Sequence, residues 1–426
     1  MDVLEVPTPS PRGLTQPGHG RHFTSALASG FAEVIGRALS FLFFVVLARC
    51  GGPDLFGVIR AALSAGQIGA GLGVPYLTAL SRLAGAPTDS SAARDHAGAE
   101  LRNSLSGWWI SSLVGAIVAS VAFGWSEGAG PAVFLGSLGF ACNYLGVLLA
   151  KSRRMPGTLL AISVWGNLGQ LAVLWPLAVM APRHLTPGLV ITIYSCAFIA
   201  PVLIAPRLRP LLQVPHLAIR SVWAGLRRAD YWSFLAQHIS HTLVINLDVL
   251  VLARVASASA VGGFAAVKTV MVVVLLPATS LFHLLIPASL RRLRHHTDPG
   301  DWQVRWLAIA GVTLGAAATA LWSPSLLRLV YGVRFAGLGR ALLLAAIGAW
   351  GYGLALIEGA RWIAAGRTAS FSALVSLSAV GQAIALLTLP GLATAEGAAL
   401  TWAWSNALLL GVVQIAPLIR RREATA

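Results

Sequence analysis

Long apolar runs separated by short polar breaks fill the chain from about residue 24 to residue 418. A helix that crosses a bilayer needs about 20 mostly apolar residues. The pattern therefore predicts about twelve transmembrane helices, over residues 24–48, 58–82, 104–124, 130–150, 157–180, 188–205, 232–253, 260–288, 304–322, 338–358, 369–390 and 395–418. Gly and Pro interrupt the fourth to sixth of these runs, and a membrane helix tolerates both when neighbours satisfy the freed backbone.

The first and seventh runs close on one phrase. Val46-Leu47-Ala48-Arg49, seven residues, then Gly57 recurs as Val251-Leu252-Ala253-Arg254, seven residues, then Gly262, an offset of 254 − 49 = 205 in a chain of 426. Six spans return the chain to its starting side, so the repeat implies two six-helix lobes related by a pseudo-two-fold axis along the membrane normal. The organisation expected is a tail (1–23), a first lobe (24–205), a linker (206–231), a second lobe (232–419) and a short tail (420–426). The linker carries Pro206, Pro210, Pro215 and five arginines, and Leu217, Ile219, Val222, Trp223 and Leu226 can share one helical face, as in an amphipathic helix lying on the membrane surface.

Composition removes the soluble classes. Apolar residues make up 56% of the chain and charged ones 11%, with a mean hydropathy of +0.74, too much apolar surface to hide from water. A net charge of +16 would indicate nucleic acid in a soluble protein. Here the cations sit in loops between spans, where they set topology and meet anionic headgroups, so no nucleic-acid partner is expected. With the N-terminus inside, the cytoplasmic loops and tails hold 22 cations and the opposite side holds six: Arg49, Arg183, Arg254, Arg328, Arg334 and Arg340. The positive-inside rule then places both termini in the cytoplasm. Twenty-nine arginines against two lysines, with the Ala and Gly content, point to a GC-rich bacterial genome. No cleavable signal is visible in residues 1–22, so the first span is expected to act as the insertion signal. Cys50, Cys142 and Cys196 are too scattered for a disulfide framework or a zinc site.

Charges at bilayer depth are costly and are functional candidates for that reason. Glu33 and Arg37 lie four apart on the first span, on one face. Arg37 either faces a central cavity, oriented by Glu33 toward a negatively charged headgroup, or forms a self-neutralising pair against a neighbouring helix. Asp248 and Lys268 fall at similar depths on spans seven and eight and can pair across them. That pair is either switchable, with Lys268 attracting phosphate while Asp248 takes a coupling proton or cation, or a fixed strut between two helices. Gln237, His241 and Asp248 share a stripe at helical spacing, and a polar stripe on an apolar span faces a cavity more often than lipid. Arg60, a few residues into span two, either lines the cavity or snorkels to the outer interface. Trp108 and Trp109 read as an interfacial belt, Glu358 and Arg361 as a surface pair, and Arg49 and Arg254 as interface anchors. Offset by 205, Arg37 matches Thr242 and Asp248 matches Phe43, so the scaffold repeats and the buried charge does not. The acids Glu33, Asp54, Asp230, Asp248 and Glu358 sit on separate elements. No catalytic site, metal or cofactor is therefore expected, and the chain does not read as an enzyme.

The segment Phe41 to Gly57, ending in Leu47-Ala48-Arg49-Cys50-Gly51-Gly52-Pro53-Asp54-Leu55-Phe56-Gly57, resembles the first-loop signature of polysaccharide and O-antigen flippases of the Wzx type. Ile68 to Gly85, with Gly71, Gly73 and Ser81-Arg82-Leu83-Ala84, is similar to that family's second span. Leu247-Asp248-Val249-Leu250 through Val261 to Lys268 is similar to its spans seven and eight, and Leu285-Ile286-Pro287-Ala288-Ser289 and Gly366-Arg367 also fit its phrasing, although Gly263-Phe264 stands where the family usually has a single Gly followed by Tyr. The resemblance covers most of the chain. It implies membership of the multidrug/oligosaccharidyl-lipid/polysaccharide exporter superfamily, with two lobes around a cavity open to one side at a time. The related lipid II flippases usually carry two further spans, which counts against a peptidoglycan role.

The function implied is transfer of an undecaprenyl-pyrophosphate-linked oligosaccharide from the inner to the outer leaflet, in lipopolysaccharide or exopolysaccharide biosynthesis. A proton or sodium ion would couple the movement, membrane lipids would surround it, and polymerase and chain-length proteins of the pathway would be its partners. Arg37 and Lys268, with Arg60, are the expected substrate-binding residues; Glu33, Asp248, His241 and Gln237 are the expected coupling or charge-pair residues. Two other functions stay open: a cation-coupled multidrug-type antiporter, and a membrane polysaccharide polymerase or ligase. The antiporter predicts an excess of acid in the cavity, and the polymerase a long outer loop, which this chain lacks.

Overall fold

Apolar side chains on all sides of a helix suit it to a membrane, where the backbone must satisfy its own hydrogen bonds. The computed structural model describes residues 19–76, 91–123, 129–152, 156–204, 227, 229–295 and 299–423, with the side chains of α1 described from Val34 onward. These residues form helices and no strand. In the first half they are α1 (His19–Gly71), α2 (Ser91–Phe123), α3 (Ala129–Ser152), α4 (Pro156–Leu160), α5 (Gly166–Met180) and α6 (Pro187–Ile204). In the second half they are α7 (Ala229–Val255), α8 (Ala258–Val274), α9 (Leu276–His295), α10 (Pro299–Leu321), α11 (Ser323–Tyr331), α12 (Gly339–Ala364), α13 (Thr368–Thr388) and α14 (Ala395–Glu423). A π-helical turn, Ala161–Trp165, joins α4 to α5. Large apolar side chains such as Leu314, Trp404 and Leu408 stand exposed around the bundle, as lipid contact requires.

Helix α1 is two spans. Gly52 has φ 72° and ψ −178°, a conformation that favours glycine, and Pro53 follows it. The rings of Phe44 and Phe56 then lie 6.2 Å apart, and the Arg60 guanidinium lies 4.6 Å from the centre of the Phe44 ring. Sixteen residues of straight helix would separate Phe44 from Arg60 by about 24 Å, so the chain folds back at Gly52. Among the described residues ten helices are long and apolar enough to cross a membrane, or eleven when α8 and the start of α9 count as one bent span. Dividing α1 at its fold-back brings 11 + 1 to twelve. The span bent by 53° between Val274 and Leu276 was not evident in the apolar pattern; Pro277, which has no N–H to donate, occupies the first turn after the break.

The helices form two lobes. In the first, α1, α2, α3 and α6 pack on one another; in the second, α7 packs on α13, and α12 on α10 and α14. Helix α1 makes extensive contact with both α7 and α8, joining the lobes. The repeat is expressed as a reciprocal backbone crossing. A Cβ on Gly57 would overlap the Ala258 carbonyl oxygen and stand 2.7 Å from the Gly262 nitrogen. A Cβ on Gly262 would overlap the Pro53 carbonyl oxygen and stand 3.0 Å from the Gly57 nitrogen. Since 258 − 53 and 262 − 57 are both 205, each half makes the same contact with the other. The breaks correspond too: Gly52 maps onto Ser257, which caps α8 by accepting a hydrogen bond from the Ala260 N–H at 3.3 Å.

Two local expectations change. Trp108 is 1% exposed, packed in the interior with the rest of α2's inner face, so the Trp108-Trp109 pair is no interfacial belt. Arg49 is not a simple anchor: it donates from Nε to the Val330 carbonyl at 2.7 Å and from Nη2 to the Leu329 carbonyl. It thereby caps the last turn of α11 in the other lobe, where carbonyls lack intrahelical partners. The tail 1–18, the residues of the linker up to Leu226 and the side chain of Glu33 lie outside what the structure describes.

Gly57→Ala and Gly262→Ala should each lower the thermal unfolding midpoint of the detergent-solubilised protein, in line with about 1–3 kcal/mol of overpacking. Gly169→Ala, at a helical site with open space around the added Cβ, should hold or raise it. Equal midpoints for all three would show that the lobes do not meet at this crossing.

Candidate functional site

Asp248 on α7 and Lys268 on α8 form a buried ion pair, 2% and 4% exposed. Lys268 Nζ lies 2.7 Å from both Asp248 oxygens and donates to the Ile245 carbonyl at 2.6 Å and the Val244 carbonyl at 3.1 Å. Asp248 Oδ1 also accepts from the Val249 N–H at 2.8 Å, and Oδ2 from Gln382 Nε2 of α13 at 3.1 Å. The rings of Trp402 and Phe264 stand 5.4 and 5.6 Å from Nζ. Every N–H of the ammonium is directed at an acceptor, leaving none for a phosphate in this conformation. His241 also turns into the second lobe: its Nδ1 is 2.6 Å from the Tyr352 hydroxyl, with the rings stacked at 5.9 Å. Gln237, on the same helix, is half-buried.

Arg60 occupies a different environment. Aromatic side chains from both lobes meet around it: Phe44 and Phe56 from α1, Tyr194 from α6, Tyr331 from α11, and Phe335 beyond. Phe56 lies 6.2 Å from Tyr331 and 6.4 Å from Phe335, and Phe44 lies 6.0 Å from Tyr194. The guanidinium stacks on Phe44 within electrostatic reach of Tyr194 and Tyr331. Its Nε is buried without a hydrogen-bond partner, and no carboxylate pairs with it among the described residues. A half-buried cation without a counter-ion is costly in a low-dielectric setting unless something anionic visits it.

Arg37 lies between the lobes. Its Nη1 donates to Thr279 Oγ1 of α9 at 3.3 Å, and it stands within electrostatic reach of Tyr144 on α3. Counting from the fold-back, Arg37 is 15 residues before Gly52 and Gln67 is 15 after, so both sit about 22 Å along their limbs. Around that level the structure gathers residues the apolar pattern did not single out: Gln67, Tyr144 and His238. For His238 the sign was present, because His238, Thr242 and Asn246 form a second polar stripe on α7 at spacings of four. Beyond this level the lobes touch again, through Tyr76 and Tyr231, whose rings are 5.1 Å apart. The half-buried polar groups thus lie between two sets of interlobe contacts.

Glu358 joins α10 to α12, accepting from Arg305 at 2.8 Å and from Arg361 at 3.3 Å. Among the described residues no three His, Cys, Asp or Glu side chains come together as metal ligands.

No family model matches the sequence, and no curated protein matches it. Solved structures do match the fold. One is a multidrug resistance MATE family transporter of the MOP superfamily, in an inward-facing conformation: 12% identity, TM-score 0.64, covering 92% of this chain and 98% of that one. Another is the lipid II flippase MurJ in an inward closed conformation: 10% identity, TM-score 0.66, covering 92% of this chain and 87% of that one. A third is a MOP superfamily transporter from Pyrococcus furiosus described as having a binding pocket of reverse polarity: 13% identity, TM-score 0.57, covering 93% and 95%. At these identities the likeness is one of fold. The chain has the architecture of MOP-superfamily transporters and is an integral, multi-pass membrane protein.

Removing either member of the Asp248–Lys268 pair alone should destabilise the solubilised protein by about 3–5 kcal/mol, because the other charge is left buried without a partner. The double replacement Asp248→Leu with Lys268→Met should recover most of that loss in the same thermal unfolding assay. Single replacements as stable as the parent would mean that water reaches the pair.

Proposed function

We propose that the chain is a flippase carrying a polyprenyl-pyrophosphate-linked oligosaccharide from the inner to the outer leaflet of a bacterial cytoplasmic membrane by alternating access, for polysaccharide assembly. The observation that carries this reading is Arg60, a cation at the contact of the two lobes that pairs with no carboxylate among the described residues. A pyrophosphate crossing a low-dielectric region needs a cation there to offset its desolvation. Arg60 and Arg37, both on α1, are the proposed headgroup residues. Lys268 joins them only when its pair opens, and Asp248, by taking a proton or sodium ion, is the proposed trigger. Glu33 orients Arg37 in this scheme.

An antiporter of the multidrug type shares the fold and is the competing reading, supported by the MATE neighbour. Its cationic substrates need a free carboxylate, whereas Asp248 is already neutralised by Lys268. The topology that accompanies the flippase reading has both termini in the cytoplasm, as the loop arginines require.

The two readings separate in proteoliposomes. The purified protein should transfer a polyprenyl-pyrophosphate-linked disaccharide between leaflets, scored by lectin access. Arg60→Ala and Arg37→Ala should each slow it about tenfold or more, the equivalent of one charge-assisted hydrogen bond. Uptake of a lipophilic cation dye, with no transfer of the sugar lipid, would establish the antiporter instead.

A further inference from the structure

Three side chains from three helices and both lobes meet at the level of Arg37: Gln67 from the second limb of α1, Tyr144 from α3 and His238 from α7. Gln67 Nε2 donates to the Tyr144 hydroxyl oxygen at 3.2 Å. The His238 ring stands edge-on to the Tyr144 ring at 5.5 Å and 86°, and its Nε2 is 3.3 Å from Thr242 Oγ1. These bonds fix the three groups without exhausting them. Among the described residues, Gln67 Oε1, the Tyr144 O–H proton and His238 Nδ1 have no hydrogen-bond partner. All three residues are half-buried, at the level where α1 and α3 of the first lobe meet α7 of the second.

The chemistry of the group is specific. An amide oxygen, a phenol proton and an imidazole nitrogen supply acceptors and donors without net charge. A sugar hydroxyl is itself donor and acceptor, and a neutral, pre-oriented set of this kind matches the hydroxyls along one edge of a pyranose. The nearest charge is Arg37, within electrostatic reach of Tyr144, and Tyr144 in turn is within reach of Tyr194 beside Arg60. The neutral cluster therefore adjoins the cations proposed for the pyrophosphate.

We infer that Gln67, Tyr144 and His238 form a saccharide subsite that holds the first sugar attached to the pyrophosphate. This inference rests on the flippase reading and adds to it a recognition of sugar separate from recognition of charge. Because the cluster is built from both lobes, the sugar would be held only while the lobes are together at this level, which ties occupancy of the subsite to the conformational cycle.

The test compares two probes in the same proteoliposomes: polyprenyl pyrophosphate bearing one N-acetylhexosamine, and the same polyprenyl pyrophosphate without sugar. The ratio of their transfer rates should fall about tenfold in Gln67→Leu and in His238→Phe, since each removes a hydrogen-bonding group that only the sugar-bearing probe can use. In Arg60→Ala both rates should fall and the ratio should hold. Tyr144→Phe, which removes one oxygen, provides the same measurement if the larger replacements unfold. An unchanged ratio in all three variants overturns the subsite while leaving the flippase reading intact. Transfer of neither probe by the parent protein overturns the flippase reading and the subsite together.

Discussion

The crossing of α1 and α8 at Gly57 and Gly262 is the constraint on which the rest depends. Main chain meets main chain there, with each carbonyl of the pair Pro53 and Ala258 occupying the space a side chain would need on the opposite glycine. Small residues permit such close approach in membranes, where packing replaces the hydrophobic effect as the driving force between helices. Two lobes drawn this close bring Phe44, Phe56, Tyr194, Tyr331 and Phe335 into one aromatic layer, and Arg49 onto the end of α11. The layer surrounds Arg60. A change that held the two backbones apart would open this end of the molecule and expose that cation.

The buried charges divide into two kinds on one criterion, the presence of a counter-ion. Lys268 and Asp248 satisfy each other and are further held by two carbonyls, an amide N–H and Gln382. They bind α7, α8 and α13 into a unit and fix the wall of the second lobe. Arg60 has a ring beneath it and, among the described residues, no carboxylate beside it. The first arrangement is complete without a ligand, and the second is not. That difference moves the centre of the functional argument from the ion pair to the first lobe, where Arg60 and Arg37 share one helical hairpin.

Much of this was legible in the sequence. Apolar runs long enough to cross a bilayer located the spans, and an offset of 205 residues located the symmetry. The repeated phrase drew attention to its arginines, yet its glycines carry the contact; that is visible only when both helices are placed, because a glycine's value there depends on a backbone from the other half. The choice of face on α7 was equally underdetermined. Gln237 and His238 are adjacent, about 100° apart around the helix. Each begins a polar stripe, Gln237 with His241 and Asp248, and His238 with Thr242 and Asn246. Periodicity identifies both stripes and cannot rank them. Packing does: His241 stacks on Tyr352 inside its own lobe, while His238 meets Tyr144 across the interface. The bend after Val274 and the burial of Trp108 depend in the same way on neighbours remote in sequence.

Arg60, without a carboxylate partner among the described residues, is the proposed seat of an anionic lipid headgroup between the lobes. Equilibrium binding of polyprenyl pyrophosphate to the full-length protein in detergent, compared with binding of a lipophilic cation of similar size, tests it most directly. The account predicts saturable binding of the pyrophosphate lipid, weakened by added salt and by Arg60→Gln, with little affinity for the cation. Saturable binding of the cation, and a pyrophosphate affinity indifferent to Arg60→Gln, would contradict it.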